Sequence, residues 1–213
     1  MVVEMIKKDL VYLVTSLKST IITMCIISLF LPMANVSYAC VMPALVCYIG
    51  FYSLMAYEER NKMHIFNISL PVDRKDICLS KYVEVLLYIL VSSILALLGV
   101  KYAQVTLMNT EQGIEIKTIE IITVMFSLGM VYSAVMLPTI FYFGTIKARY
   151  VLLLIYVLIF VGANSIKNDV IEKVLTKIMG VFNGSLVLMF VIAAAVFIAS
   201  YIISNRIWDK KEF

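Results

Sequence analysis

The chain predicts an all-α, polytopic membrane protein with six transmembrane helices, and three observations lead there. Hydrophobic residues make up 62% of the sequence and charged residues only 15%, with a mean hydropathy of +0.98. Globular domains run at about 45–50% apolar and about 25% charged, so no core of this size hides the excess and the bilayer has to act as solvent. The second observation is a set of long charge-free runs, residues 19–57, 85–100, 121–146, 151–166 and 178–205. The third is a lopsided distribution of the 18 Lys and Arg residues among the segments between those runs. A single membrane domain, residues 1–213, accounts for the whole chain.

Residues 1–18 come first. Met5, Ile6, Leu10, Leu13, Val14 and Leu17 alternate with Glu4, Lys7, Lys8, Asp9, Ser16 and Lys18. That spacing gives one apolar and one charged helical face, as expected of an amphipathic helix lying in the membrane interface. A cleavable leader is not expected, because the apolar run begins only after this stretch and no small-residue cleavage pattern follows. The run 19–57 is 39 residues long. As one helix it would measure about 58 Å, roughly twice the hydrocarbon thickness, so it folds back as a hairpin. Pro32 and the cluster Asn35, Ser37 and Tyr38 are the turn candidates.

Runs 85–100, 121–146, 151–166 and 178–205 each supply one further span, which brings the count to six. Between the last two, Val170, Ile171, Val174, Leu175, Ile178 and Met179 fall on one helical face opposite Glu172, Lys173 and Lys177. A short helix on the outer side is expected there. With the amino terminus inside, 13 of the 18 cationic residues lie on the cytoplasmic side and only Lys101, Lys117, Lys167, Lys173 and Lys177 lie outside. This bias predicts a multi-pass protein of the plasma membrane with both termini cytoplasmic.

Much chemistry is missing. None of the eight glycines is followed by lysine, so there is no phosphate-binding loop, and no G-x-S-x-G elbow occurs. His64 is the single histidine, and Cys25, Cys40, Cys47 and Cys78 form no C-x-x-C pair, so neither a metal site nor a disulfide is expected. The cations are dispersed over short loops, which excludes a nucleic-acid surface. Glu84 and Glu120 are expected near span ends, where both reach an interface, and the spans otherwise hold almost no ionisable group. Ion-driven carriers need such groups, so the reading disfavours one. The chain is not expected to be an enzyme.

The segment 58–81 is the densest charged island in the chain. Residues 58–67 are expected to continue the second span as a helix, with Met63, Ile65, Phe66 and Ile68 apolar. Pro71 interrupts it, and Asp73 has the character of an N-cap opening the third span. Helix, sharp turn and helix would together form a rigid cytoplasmic projection.

These residues carry a family resemblance. Glu58-Glu59-Arg60-Asn61-Lys62, then Ser69-Leu70-Pro71-Val72-Asp73-Arg74, then Ser80-Lys81-Tyr82 resemble the loop pattern of the ABC-2 type exporter permeases. The six-span layout and amphipathic amino terminus resemble that family over the whole chain, the sharp motifs over residues 58–82 only. Within it the chain is most similar to the small stand-alone permeases of phenol-soluble-modulin-type peptide exporters. The resemblance implies a bacterial exporter in which this chain pairs with a second copy or homologue and with a separate ATPase subunit that binds ATP and Mg. No cofactor is implied in this chain. Glu58, Glu59, Arg60, Asn61, Lys62, Phe66, Ser69, Leu70, Pro71 and Arg74 would form the ATPase-coupling loop. The second and fifth spans would line the substrate cavity, with Ser53, Asn164 and Ser165 as sparse polar groups. Such a wall suits an amphipathic or hydrophobic substrate. The competing expectations are an ion-driven small-molecule transporter and a membrane scaffold subunit that transports nothing.

Overall fold

The computed structural model describes residues 2–34, 36–63, 73–106, 118–165 and 186–210. Among them all regular structure is helical: α1 (Val2–Ser16), α2 (Lys18–Ala34), α3 (Val36–Arg60), α4 (Arg74–Thr106), α5 (Thr118–Ser165) and α6 (Leu186–Lys210). Among the described residues four stretches are long and apolar enough to cross a membrane, Tyr38–Arg60, Lys75–Tyr102, Ile121–Leu152 and Val187–Trp208. A fifth arises if α1 and α2, bent by 91°, count as one broken span. Leu17 is the pivot. Its N–H donates to the Leu13 carbonyl at 3.1 Å, and its own carbonyl accepts from Thr20 and Ile21, so it ends one helix and opens the next.

The hairpin expected in the run 19–57 falls where the sequence puts it, with α2 ending at Ala34 and α3 starting at Val36. Pro32 does not make the turn, however. It is accommodated inside the last turn of α2. The runs 121–146 and 151–166, expected as separate spans, lie in one element of 48 residues. Gly144 alone leaves helical geometry, with φ 75° and ψ 169°. No breaker follows it, so the helix restarts at once instead of entering a loop. The expected outer helix at 169–179 and most of the outer loop 101–117 lie outside the described residues.

Helix α4 packs on α1, α2, α3 and α6, while α5 packs chiefly on α3 and α6. One apolar cluster joins Phe51 and Leu54 of α3, Ile89 of α4, and Leu137, Ile140 and Phe141 of α5. A smaller one, Ala39, Met42, Ala96, Val100, Ile121 and Met125, closes the opposite end, where α3 and α5 begin and α4 is ending. Apolar side chains also cover the outside, among them Ile22, Ile26 and Phe30 on α2, Val91 and Ile94 on α4, and Val191 and Ile198 on α6. In water such a surface would aggregate, whereas in lipid it is the solvated face.

Several serines within the bundle bond to carbonyls of their own helix. Ser92 and Ser93 donate to the Ile89 carbonyl at 3.0 and 2.7 Å, and Ser133 donates to the Gly129 carbonyl at 2.7 Å. Helices α2 and α4 touch backbone to backbone at Gly99, where a Cβ would stand 2.4 Å from the Leu29 carbonyl oxygen. Small residues allow this approach, which is how helices gain contact in lipid. All four cysteines are free thiols, Cys47 and Cys78 buried.

Candidate functional site

The last turn of α3 lies where α1, α4 and α5 converge, and two adjacent carboxylates there do different things. Glu58 is buried. Its Oε1 accepts from Lys81 Nζ of α4 at 2.8 Å, and Lys8 Nζ of α1 stands 3.8 Å away. Lys81 also donates to Asp9 Oδ2 of α1 at 2.9 Å, and Lys8 pairs with Asp9 Oδ1 at 3.3 Å. Three helices are thus joined by two carboxylates and two ammonium groups, with Asp9 fully buried and Lys81 only 2% exposed. Removing charges from water is costly, so the short contacts and their charge assistance are needed to hold this group together.

Glu84 belongs to the same neighbourhood, one turn beyond Lys81 on α4. Its Oε1 accepts from the Tyr88 hydroxyl at 2.6 Å, and its Oε2 has no hydrogen-bond partner among the described residues. Its exposure is 0%, so the expectation that it reaches an interface is wrong. The helix carries it inward because Val85, Tyr88 and Ile89 beside it pack into the core. Three buried carboxylates, Asp9, Glu58 and Glu84, weaken the argument that the spans hold almost no ionisable group, and with it the ground on which an ion-driven carrier was disfavoured.

Glu59 projects to the other side. Its Oε2 accepts from the Thr145 backbone N–H at 2.8 Å and from the Thr145 hydroxyl, just past the break at Gly144 in α5. Beyond it α3 stops at Arg60. Asn61 N–H and Asn61 Nδ2 both bond the Tyr57 carbonyl, at 3.1 and 3.0 Å, and Lys62 takes the left-handed conformation at φ 52°. This is the usual backbone turn of a helix C-terminus, here without the glycine that tolerates it best. The helix expected to run unbroken through 58–67 is therefore interrupted at 61–62. Asp73 sits at the N-cap position of α4, its carbonyl accepting from Asp76 and Ile77 at 2.9 and 3.3 Å.

The last helix closes the same end. The hydroxyl of Tyr82 on α4 lies 2.7 Å from both Ser200 and Ser204 of α6, and Ser200 donates to the Ala134 carbonyl of α5 at 2.7 Å. That commits the Ser200 proton, so Tyr82 donates to Ser200 and accepts from Ser204. Trp208 meets Phe141 edge-on at 5.2 Å. The described parts of both terminal helices, α1 and the end of α6, therefore meet the same end of the bundle.

Of the residues expected to face an ATPase, Glu58 is buried with its carboxylate on Lys81 of α4, and Glu59 is exposed with its carboxylate on Thr145 of α5. Arg60, Asn61 and Lys62 are exposed. Phe66, Ser69, Leu70 and Pro71 lie outside the described residues, as does the side chain of Arg74. Ser53 is half-buried on α3, and Asn164 and Ser165 close α5 with side chains outside the described set. Sequence reasoning gave no site role to Asp9, Gly144 or Thr145, and named Lys81 and Tyr82 only within the family motif. Asp9 had a readable mark: Met5, Asp9 and Leu13 recur every fourth residue, and all three are buried. Among the described residues no cluster of His, Cys, Asp and Glu could hold a metal ion.

Comparison with known proteins gives one result. Residues 4–209 match the model of the ABC-2 family transporter proteins. No curated protein and no solved structure gives a match.

Proposed function

The chain belongs to the ABC-2 family of transporter proteins, which makes it a multi-pass membrane subunit of an ABC transporter, and on that premise we propose that it is the permease of an ATP-driven exporter. The hydrolysing subunit is a separate ATPase that binds ATP and Mg. The segment 58–81 faces the cytoplasm together with both termini, and the ATPase grips it. Arg60, Asn61 and Lys62 offer the first exposed contacts, and Phe66, Ser69, Leu70, Pro71 and Arg74 belong to the same surface. The six-span count and a second copy or homologue of this chain complete the assembly.

The observation that carries this reading is the mounting of that segment. A loop that receives force is useful only if its ends cannot slip. Glu58 and Lys81 bracket this one, and they are bonded to each other at 2.8 Å and to α1 through Asp9 and Lys8. A push on 61–73 is therefore delivered to α3, α4 and α1 as a unit. Interfaces of this kind are bistable rather than elastic, so a small displacement switches a cavity from one side to the other. The second and fifth spans, here α3 and the leg 145–165 of α5, line that cavity. Their aliphatic and aromatic composition suits amphipathic or hydrophobic cargo, including amphipathic peptides of the phenol-soluble-modulin kind.

The test is co-expression with an ABC ATPase encoded beside this chain, purification in detergent, and transport of a fluorescent amphipathic peptide into inside-out vesicles. ATP-dependent uptake that survives a protonophore is expected. Uptake that needs no ATP and collapses with the proton gradient would overturn the proposal.

A further inference from the structure

The break in α5 separates a leg tied to α6 from a leg that packs on the core through Ala148 and Leu152, and a side chain from another helix caps the second leg. Residues 118–143 are tied to α6 through the Ala134 carbonyl and the Phe141–Trp208 contact. At Gly144 the backbone takes φ 75°, a conformation other residues adopt only with strain. The leg that restarts at Thr145 has first-turn N–H groups with no carbonyl of its own to bond. Glu59 supplies the acceptor. Its carboxylate takes the Thr145 N–H at 2.8 Å and the Thr145 hydroxyl, and its negative charge lies at the positive end of that leg. A Cβ on Gly144 would stand 3.4 Å from Glu59 Oε1, so the carboxylate lies beside the break.

Glu59 stands between two rigid objects. Its neighbour Glu58 locks α3 to α4 and α1, so the end of α3 moves as one body with them. Unlike Glu58, Glu59 is exposed, and the cap is its only hydrogen-bonded link to α5 among the described residues. We infer that Glu59 is a positioning strut: it transmits displacement of the 61–73 loop to the 145–165 leg of α5, which pivots at Gly144 while residues 118–143 stay with α6. This deepens the exporter reading and rests on it. One carboxylate thus connects the force-receiving loop with the wall of the substrate route.

The experiment uses the complex of this chain with its ATPase, with Cys25 and Cys40 replaced by Ser and spin labels at Val131 and Leu154. Both positions are exposed, one on each leg of α5. In the parent protein the distance between labels is expected to be narrow and to shift when a non-hydrolysable ATP analogue is added. Glu59→Ala is expected to abolish the nucleotide-dependent shift and lower peptide transported per ATP hydrolysed at least tenfold. Glu59→Gln, which keeps an acceptor oxygen, is expected to restore part of both. Fluorescence of Trp208, the single tryptophan, checks that each variant is folded. A purely structural cap would change the resting distance in Glu59→Ala while leaving the nucleotide shift and the transport-to-ATP ratio as in the parent, and that result overturns the strut. Failure of any ATPase to associate overturns the exporter reading and the strut together, whereas transport indifferent to Glu59→Ala overturns the strut alone.

Discussion

Replacing Lys81 by Met removes one ammonium group and keeps the side-chain stem. Lys81 Nζ makes two charge-assisted hydrogen bonds, to Asp9 at 2.9 Å and to Glu58 at 2.8 Å, with its side chain 3% exposed. The substitution strands two carboxylates whose side chains are 1% and 7% exposed. Breaking a buried pair from one side costs about 3–5 kcal/mol, because the remaining charge is left without compensation. Lys8 stays at 3.3 Å from Asp9 and 3.8 Å from Glu58, and offsets part of this. The lower end applies, about 3 kcal/mol, or more than a hundredfold in the unfolding equilibrium constant. Denaturant titration in detergent micelles reads this directly, since Trp208 is 8% exposed against Phe141 and its fluorescence changes when α5 and α6 separate. Adding Asp9→Asn and Glu58→Gln to Lys81→Met should recover most of the loss, because the cost lies in unpaired charge and not in lost packing. A loss under about 1 kcal/mol for Lys81→Met would be the value of a solvated surface pair and would refute the reasoning.

Three further predictions concern the same bundle. Glu84→Gln should leave stability unchanged or raise it by about 1 kcal/mol, since it removes one of three buried carboxylates facing two ammonium groups and keeps the acceptor for Tyr88; a loss of folded protein in a thermal melt would count against it. Tyr82→Phe breaks the hydroxyl chain from Ser204 to Ser200 and should cost about 1–2 kcal/mol in the same denaturant titration, with an unchanged midpoint as the contrary result. Gly99→Ala places a methyl group 2.4 Å from a backbone oxygen of α2 and should loosen the α2–α4 contact, seen as faster amide exchange around Leu29. Exchange equal to that of the parent protein would show that α2 shifts without penalty.

The helical, membrane-embedded class was legible because apolar run length is a one-dimensional property; run length required the hairpin, and the polar cluster at Asn35, Ser37 and Tyr38 placed it between Ala34 and Val36. The charged junction was not legible. Lys81 is 72 residues from its partner Asp9 and 23 from its partner Glu58 along the chain, and nothing local distinguishes a carboxylate that turns inward from one that meets solvent. The charge density of residues 58–62 suggested a surface, yet the end of a span is also where a neighbouring helix supplies buried counter-charges. Gly144 was missed for a related reason. A single glycine in an apolar run commonly continues a helix, and here the Glu59 carboxylate, from a helix far away in sequence, caps the restarted leg. Asp9 was the one member with a local mark, its place in the stripe between Met5 and Leu13.

The central claim is that the loop leaving α3 at Lys62 is where the ATPase attaches. The most direct measurement places a photo-activatable cross-linker at Lys62 and, separately, at Lys101 near the opposite end of α4, both exposed, in cells that co-express the ATPase. The account predicts a cross-linked permease–ATPase band from Lys62 and none from Lys101. A band from Lys101, or none from Lys62 in a complex that still purifies intact, would contradict it.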